Sequence, residues 1–203
     1  IGPMYTQPDE YVPSGESLIR NFLVAKHVAE PFGPMMAIGY FPDSFGHASQ
    51  IPQILRGLGL ETVVFWRGVC DEDTTKTEFW WESREGSRVL AIRMPYAYGN
   101  AYIVPLEPDR AAEFLESAVQ SLAPMATTDN VLLMRGWDHS GADPETPGLI
   151  RAAGEHLSEG LEIGHSSLEK LTAAIRAGQP ELEILRGELR KPKNMRIHAG
   201  IDS

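Results

Sequence analysis

The chain has 203 residues, 42% hydrophobic and 23% charged, which are ordinary proportions for a soluble globular protein. Its net charge of −10 lacks the basic surface that a phosphate backbone selects, so nucleic acid is not an expected partner. Cys70 is the only cysteine, which rules out an internal disulfide and a thiolate metal cluster, and no apolar run approaches the roughly 18 residues of a membrane span. The default expectation is cytoplasmic, with no membrane partner. The chain opens on Ile1 and runs out at Asp202-Ser203 without a closing helix or strand. The expectation is therefore a single α/β catalytic domain over residues 1–203, truncated at both ends.

In chain order, Ser14 is placed to cap a helix whose Leu18, Ile19, Phe22, Leu23 and Lys26 recur at helical spacing until Pro31 and Gly33. Met35 to Tyr40 predicts a short buried strand. After a Pro-Asp-Ser-Phe-Gly loop, Ile51, Ile54, Leu55 and Leu58 form a second helical stripe that stops near Gly57 and Gly59. Thr62 to Trp66, β-branched and aromatic, predicts a strand. Glu78 to Ser83, an Arg-Glu-Gly-Ser turn and Val89 to Met94 predict a hairpin. Beyond it the pattern predicts a helix over 109–122, a strand over 131–135 and a helix through Leu149 and Ala153. A strand over 161–163, a helix over 168–176 and a last strand over 183–185 complete the alternation. Strands alternating with helices of about ten residues imply an α/β fold with a mainly parallel sheet.

Active sites of such folds form on loops beyond the carboxyl ends of the strands. Asp43 follows the strand ending at Tyr40, Arg67 the strand ending at Trp66, Tyr96 and Tyr98 the strand ending at Met94, and Asp138 the strand ending at Arg135. Two carboxylates, a guanidinium and aromatic rings on one face compose a sugar-cleaving site. Each residue alone has a plainer reading: either aspartate serves as readily as a helix cap or turn former, and Arg67 as a structural ion pair. Trp80 and Trp81 read as packing rather than as a sugar platform. His47, four residues after Asp43, admits an Asp-His metal pair, but such a histidine more often braces its loop by hydrogen bonding. His139 either orients Asp138 or lies near a metal. His27, His156, His165 and His198 have no partner pattern and read as surface or packing residues.

Gly39-Tyr40-Phe41-Pro42-Asp43-Ser44-Phe45-Gly46-His47, continued by Gln50 to Leu55, resembles glycoside hydrolase family 38, the α-mannosidases. The likeness extends to Phe65-Trp66-Arg67-Gly68, to Gln7-Pro8-Asp9-Glu10 with Ser14 to Ser17, and to Leu132 through His139. It covers most of the first 140 residues, weakens afterwards, and has a bacterial style. The resemblance implies a seven-stranded α/β barrel and a retaining, exo-acting hydrolase of terminal α-mannosides. Asp43 matches the nucleophile, which also binds a catalytic zinc, and Asp138 matches the acid/base. Arg67, Phe45 and Tyr98 match residues that contact substrate, although Tyr96 competes with Tyr98 for the alignment. Gly99 stands where many eukaryotic members carry an aspartate. The family's His-x-Asp zinc pair and its further zinc histidine match nothing in this chain, so the chain alone is expected to be inactive.

Retention of configuration asks for one carboxylate to attack the anomeric carbon, with a second carboxyl about 5–5.5 Å away to donate and later recover a proton. A mannosylglycerate hydrolase is a narrower version of the same reading. A non-catalytic carbohydrate-binding barrel remnant would need neither aspartate. A metal-dependent deacetylase would need an Asp-His-His set that these residues do not supply.

Overall fold

A computed structural model describes residues 2–191, so His198 lies outside the described residues. By internal contacts the chain divides into two compact units, one from residues 1–95 with 179–203, the other from 96–178.

The first unit opens with helix α1, Gly15–Ala29. The Ser14 hydroxyl accepts the Ser17 N–H at 3.2 Å, giving one orphan donor of the first turn a partner. Glu16 near the start and Lys26 near the end suit the helix dipole. Leu18, Phe22, Ala25 and Ala29 form its buried stripe, and Pro31 and Gly33 end the helical run. Strand β1, Gly39–Phe41, is shorter than the predicted stretch from Met35. It pairs in parallel with β2, Thr62–Phe65, from Gly39 opposite Val63 to Phe41 opposite Phe65. Helix α2, Ile51–Gly57, connects them.

The predicted hairpin forms as β3, Glu78–Glu82, and β4, Arg88–Arg93, with Glu82 opposite Arg88. Gly86 sits at φ 97°, a turn conformation that favours glycine. Strand β5, Ile184–Arg186, joins β3 in parallel. The sheet order is β1-β2-β4-β3-β5, parallel at every pairing except β3 with β4. A mixed, mostly parallel five-stranded sheet is therefore what the described residues build.

One sheet face carries Phe41, Val63, Phe65, Phe79, Trp81, Val89 and Ala91, packed with Leu18 and Phe22 of α1 and Ile51 and Leu55 of α2. The Phe65 ring stands edge-on to Phe79 and Trp81 at centroid distances of 6.1 and 6.0 Å, a favourable aromatic geometry. Trp81 is fully buried and its indole N–H reaches the Gly187 carbonyl at 2.8 Å, as the packing reading requires.

The second unit holds α3, Pro108–Leu122, α4, Thr146–Gly154, and α5, Leu168–Ala177. Ala111 and Leu115 of α3 pack on Leu149 and Ala153 of α4, with Leu133 and Ile163 against them. The predicted strands over 131–135 and 161–163 do not form. The first has a clear competitor: the Asn100 carboxamide accepts the Met134 N–H at 2.6 Å and donates to the Leu132 carbonyl at 2.9 Å. The Met134 carbonyl meanwhile accepts the Ala101 N–H at 2.9 Å. Extended backbone whose polar groups are met by a side chain needs no sheet ladder. His27, His156 and His165 are exposed.

Glu82 ties the far side of the sheet together, accepting from Arg88 Nε at 3.0 Å and Arg186 Nε at 2.6 Å. The hydrogen bonds from Arg88, then from Arg186, hold its carboxyl below the usual glutamate range. A depressed folded-state pKa contributes stability that is complete above the unfolded value and disappears as pH falls through the folded one. Thermal melts of the wild type should therefore lose stability on acidification below the ordinary glutamate range. Glu82→Gln should flatten that slope and lower the melting temperature most at neutral pH.

Candidate active site

Pairing of β1 with β2 sets Phe41 level with Phe65, and each strand is followed two residues later by a charged side chain. Asp43 and Arg67 thus emerge at the same carboxyl edge. Arg67 Nε and Nη2 both donate to Asp43 Oδ1, at 2.9 and 2.6 Å. Arg67 is the shielded partner, its side chain 11% exposed against 41% for Asp43. A charge-assisted pair that is screened on the cation side and open on the anion side orients the carboxylate without covering it. The guanidinium carbon lies 4.6 Å from the Phe45 ring centroid and 3.8 Å from that of Trp66, so two aromatic faces hold the cation in place. Gly68 is obligatory here. Its φ is 96°, and a Cβ would run into the Leu189 carbonyl.

His47 takes the bracing role. Its side chain is fully buried, Nδ1 is 2.7 Å from Glu10 Oε1, and the ring sits among Phe41, Phe65 and Trp81. Among the described residues no three His, Cys, Asp or Glu side chains gather as a metal site would require.

In the second unit, Asp138 rides a tight turn from Trp137 to Ser140. The Ser140 hydroxyl donates to the Trp137 carbonyl at 2.6 Å and accepts the Trp137 N–H at 3.2 Å. His139 holds a left-handed φ of 56° within that turn. The Asp138 side chain is 60% exposed, and His139 Nε2, itself 93% exposed, stands 3.4 Å away. Tyr98 meets the Trp137 ring at 5.8 Å, and Tyr102 stacks on it at 5.9 Å with planes 25° apart. Arg135 fastens the turn from behind, donating to Asp143 at 2.6 Å and to the Thr146 hydroxyl at 2.9 Å.

Of the residues singled out from sequence, Asp43, Phe45 and Arg67 are brought into contact in the first unit, while Asp138 and Tyr98 flank Trp137 in the second. Glu10, Trp66, Asn100 and Trp137 escaped the sequence reading of the site. Trp66 was readable as the neighbour of Arg67. Glu10 was not, because its partner His47 lies 37 residues away in a segment without periodicity.

Gly99 explains itself sterically: a Cβ there would collide with the Trp137 ring and approach the Gly136 carbonyl within 2.9 Å. Gly99→Ala should displace Trp137 at a cost of about 1–3 kcal/mol, the usual penalty of overpacking. Denaturant melts should report the loss, and a shift in tryptophan emission should report the moved ring. Gly136→Ala, which meets open space, serves as the control.

Residues 1–179 match the model of the glycosyl hydrolases family 38 N-terminal domain. A protein of Halalkalibacterium halodurans named "Putative mannosylglycerate hydrolase" is 32% identical over 95% of this chain and 23% of its own length. Human alpha-mannosidase 2C1 is 27% identical over 93% of this chain and 18% of its own. The crystal structure of an alpha-mannosidase from Enterococcus faecalis superposes with a TM-score of 0.89 at 30% identity, covering 94% of this chain and 22% of that one. The chain thus spans less than a quarter of the length of these relatives. With a family model matched over most of its residues and a fold shared at that identity, the chain belongs to glycosyl hydrolases family 38.

Proposed function

We propose that this chain supplies the two catalytic carboxylates of a longer, retaining α-mannosidase built on a seven-stranded α/β barrel. The observation that carries the reading is the Arg67 fork on Asp43 Oδ1, which holds an open carboxylate in one orientation at the carboxyl edge of β1 and β2. An ionised carboxylate so oriented is suited to attack at a carbon centre. In the first step Asp43 bonds to the anomeric carbon as the glycosidic bond breaks, and Asp138 gives its proton to the departing oxygen. In the second step Asp138 takes a proton from water, which attacks the same carbon and releases Asp43. Phe45 and Tyr98 are assigned to the sugar rings and Arg67 to the nucleophile and substrate.

Zinc is proposed for the longer enzyme, with Asp43 as one ligand. A lone carboxylate does not make a zinc site, so the remaining ligands would come from outside this chain. The substrate is a terminal α-mannoside. Mannosylglycerate is the second reading, favoured by the name of the 32%-identical relative.

The longer enzyme should release mannose with retained anomeric configuration, followed by NMR, from one of these two substrates. Asp138→Asn should lower kcat by about 10²–10⁴-fold, the usual contribution of acid–base catalysis, with a smaller loss for substrates whose leaving group needs no proton. A mannosyl fluoride inactivator should label Asp43 on peptide mapping. Inverted product, or a label on another residue, would remove Asp43 as nucleophile. Equilibrium dialysis of the 203-residue chain alone should show no stoichiometric zinc.

A further inference from the structure

The loop between β1 and α2 carries Asp43 yet has little sheet of its own to lean on. Its backbone is held instead by residues 8–11. Asp9 Oδ1 accepts the Phe45 N–H at 2.9 Å, and the Pro8 carbonyl accepts the Ser44 hydroxyl at 2.7 Å. Glu10 Oε2 accepts the Ala48 N–H at 2.9 Å while Oε1 holds His47 Nδ1 at 2.7 Å. The Tyr11 hydroxyl donates to the His47 carbonyl at 2.9 Å. From the other side, Leu189 exchanges two backbone hydrogen bonds with His47, at 2.8 and 3.0 Å.

Glu10 and His47 have no side-chain exposure at all. Burying such groups is costly unless every polar atom is met, and a loop needing only stability is better served by apolar packing. Both Glu10 oxygens are used. Among the described residues His47 Nε2 meets no hydrogen-bond partner, so Glu10 supplies the polar anchorage of the imidazole there. The imidazole in turn sits 4.6 Å from Phe65 and 5.8 Å from Phe41 and Trp81, so the tether runs from residues 9 and 10 into three strands of the sheet.

Resting on the reading of Asp43 as nucleophile, we propose that Asp9 and Glu10 are positioning residues. They aim Asp43 by fixing the backbone of residues 44–48, and neither of them meets substrate. Arg67 restrains one carboxylate oxygen; the aspartate backbone is restrained only through this loop. A displacement of the order of 1 Å at a reacting group costs about 10²-fold in rate, so loosening the loop acts on turnover rather than on binding.

The test uses the longer enzyme, with mannoside kinetics and hydrogen exchange read at single amides in the same samples. Asp9→Ala and Glu10→Asp, whose shortened side chain no longer reaches, should each lower kcat by roughly tenfold or more and leave KM within about threefold. Asp9→Asn and Glu10→Gln keep an acceptor in place and should restore most of the rate. Exchange should quicken at Phe45 in Asp9→Ala and at Ala48 in Glu10→Asp, each without the other. Unchanged exchange at both amides would overturn the proposal, and so would faster exchange with unchanged kcat. If Glu10→Asp fails to fold, Asp9→Ala, at a half-buried position, carries the same test. A wild-type enzyme that turns over neither substrate overturns the reading of Asp43. The exchange pattern then still decides the tether, supported by site-specific quickening and overturned by none.

Discussion

The register of β1 on β2 is the constraint from which the first unit's chemistry follows. Gly39 opposite Val63 and Phe41 opposite Phe65 bring both strands to an end at one level. Asp43 and Arg67, two residues beyond, then meet with bonds of 2.9 and 2.6 Å. In a parallel pair a slip of one residue would turn every side chain of a strand to the other face. The shared core opposes that slip, because Phe41 and Phe65 pack in one cluster on the same sheet face. Gly39 belongs to the same constraint, since a Cβ there would press on Leu55 and Val63. Hydrophobic registration thereby becomes electrostatic geometry at the strand ends.

Buried polar groups cluster around that edge. Glu10 meets Nδ1 of His47, whereas Arg93 at the end of β4 is the costlier case: nearly fully buried, with Asp71 Oδ1 3.5 Å from Nη2. That is too long for a strong hydrogen bond. Burial pulls the guanidinium pKa down, and Asp71 pulls it back. Asp73 in the same loop makes a tighter pair, with Lys191 Nζ at 2.6 Å and the Cys70 N–H at 3.2 Å. Charged groups along the loop after β2 thus restrain it electrostatically, much as carboxylates restrain the loop after β1.

The second unit uses a different device. Its helices α3 and α4 pack through alanines and leucines, but the segment before Asp138 is held by one carboxamide, Asn100, and by Arg135 reaching Asp143. Within the turn bearing Asp138, the Ser140 hydroxyl bonds both the N–H and the carbonyl of Trp137. Aromatic rings supply the rest of its surroundings, and Gly99 leaves the space that Trp137 occupies.

By itself the sequence determined the local elements: the Ser14 cap, the helical stripes, a strand over 62–66 that forms at 62–65, the hairpin and the loops that carry Asp43 and Asp138. These rest on periodicity and turn chemistry, which act over a few neighbouring residues. It also carried the family, because nine consecutive residues around Asp43 and four around Arg67 are specific as a set. Only the tertiary structure decided that 131–135 runs without a ladder, that Glu10 grips His47, and that Trp137 lies over Gly99. Each depends on partners far apart in the chain, where a hydrogen bond or a ring contact forms only after the sheet or the helices have packed, and no spacing in the chain records it.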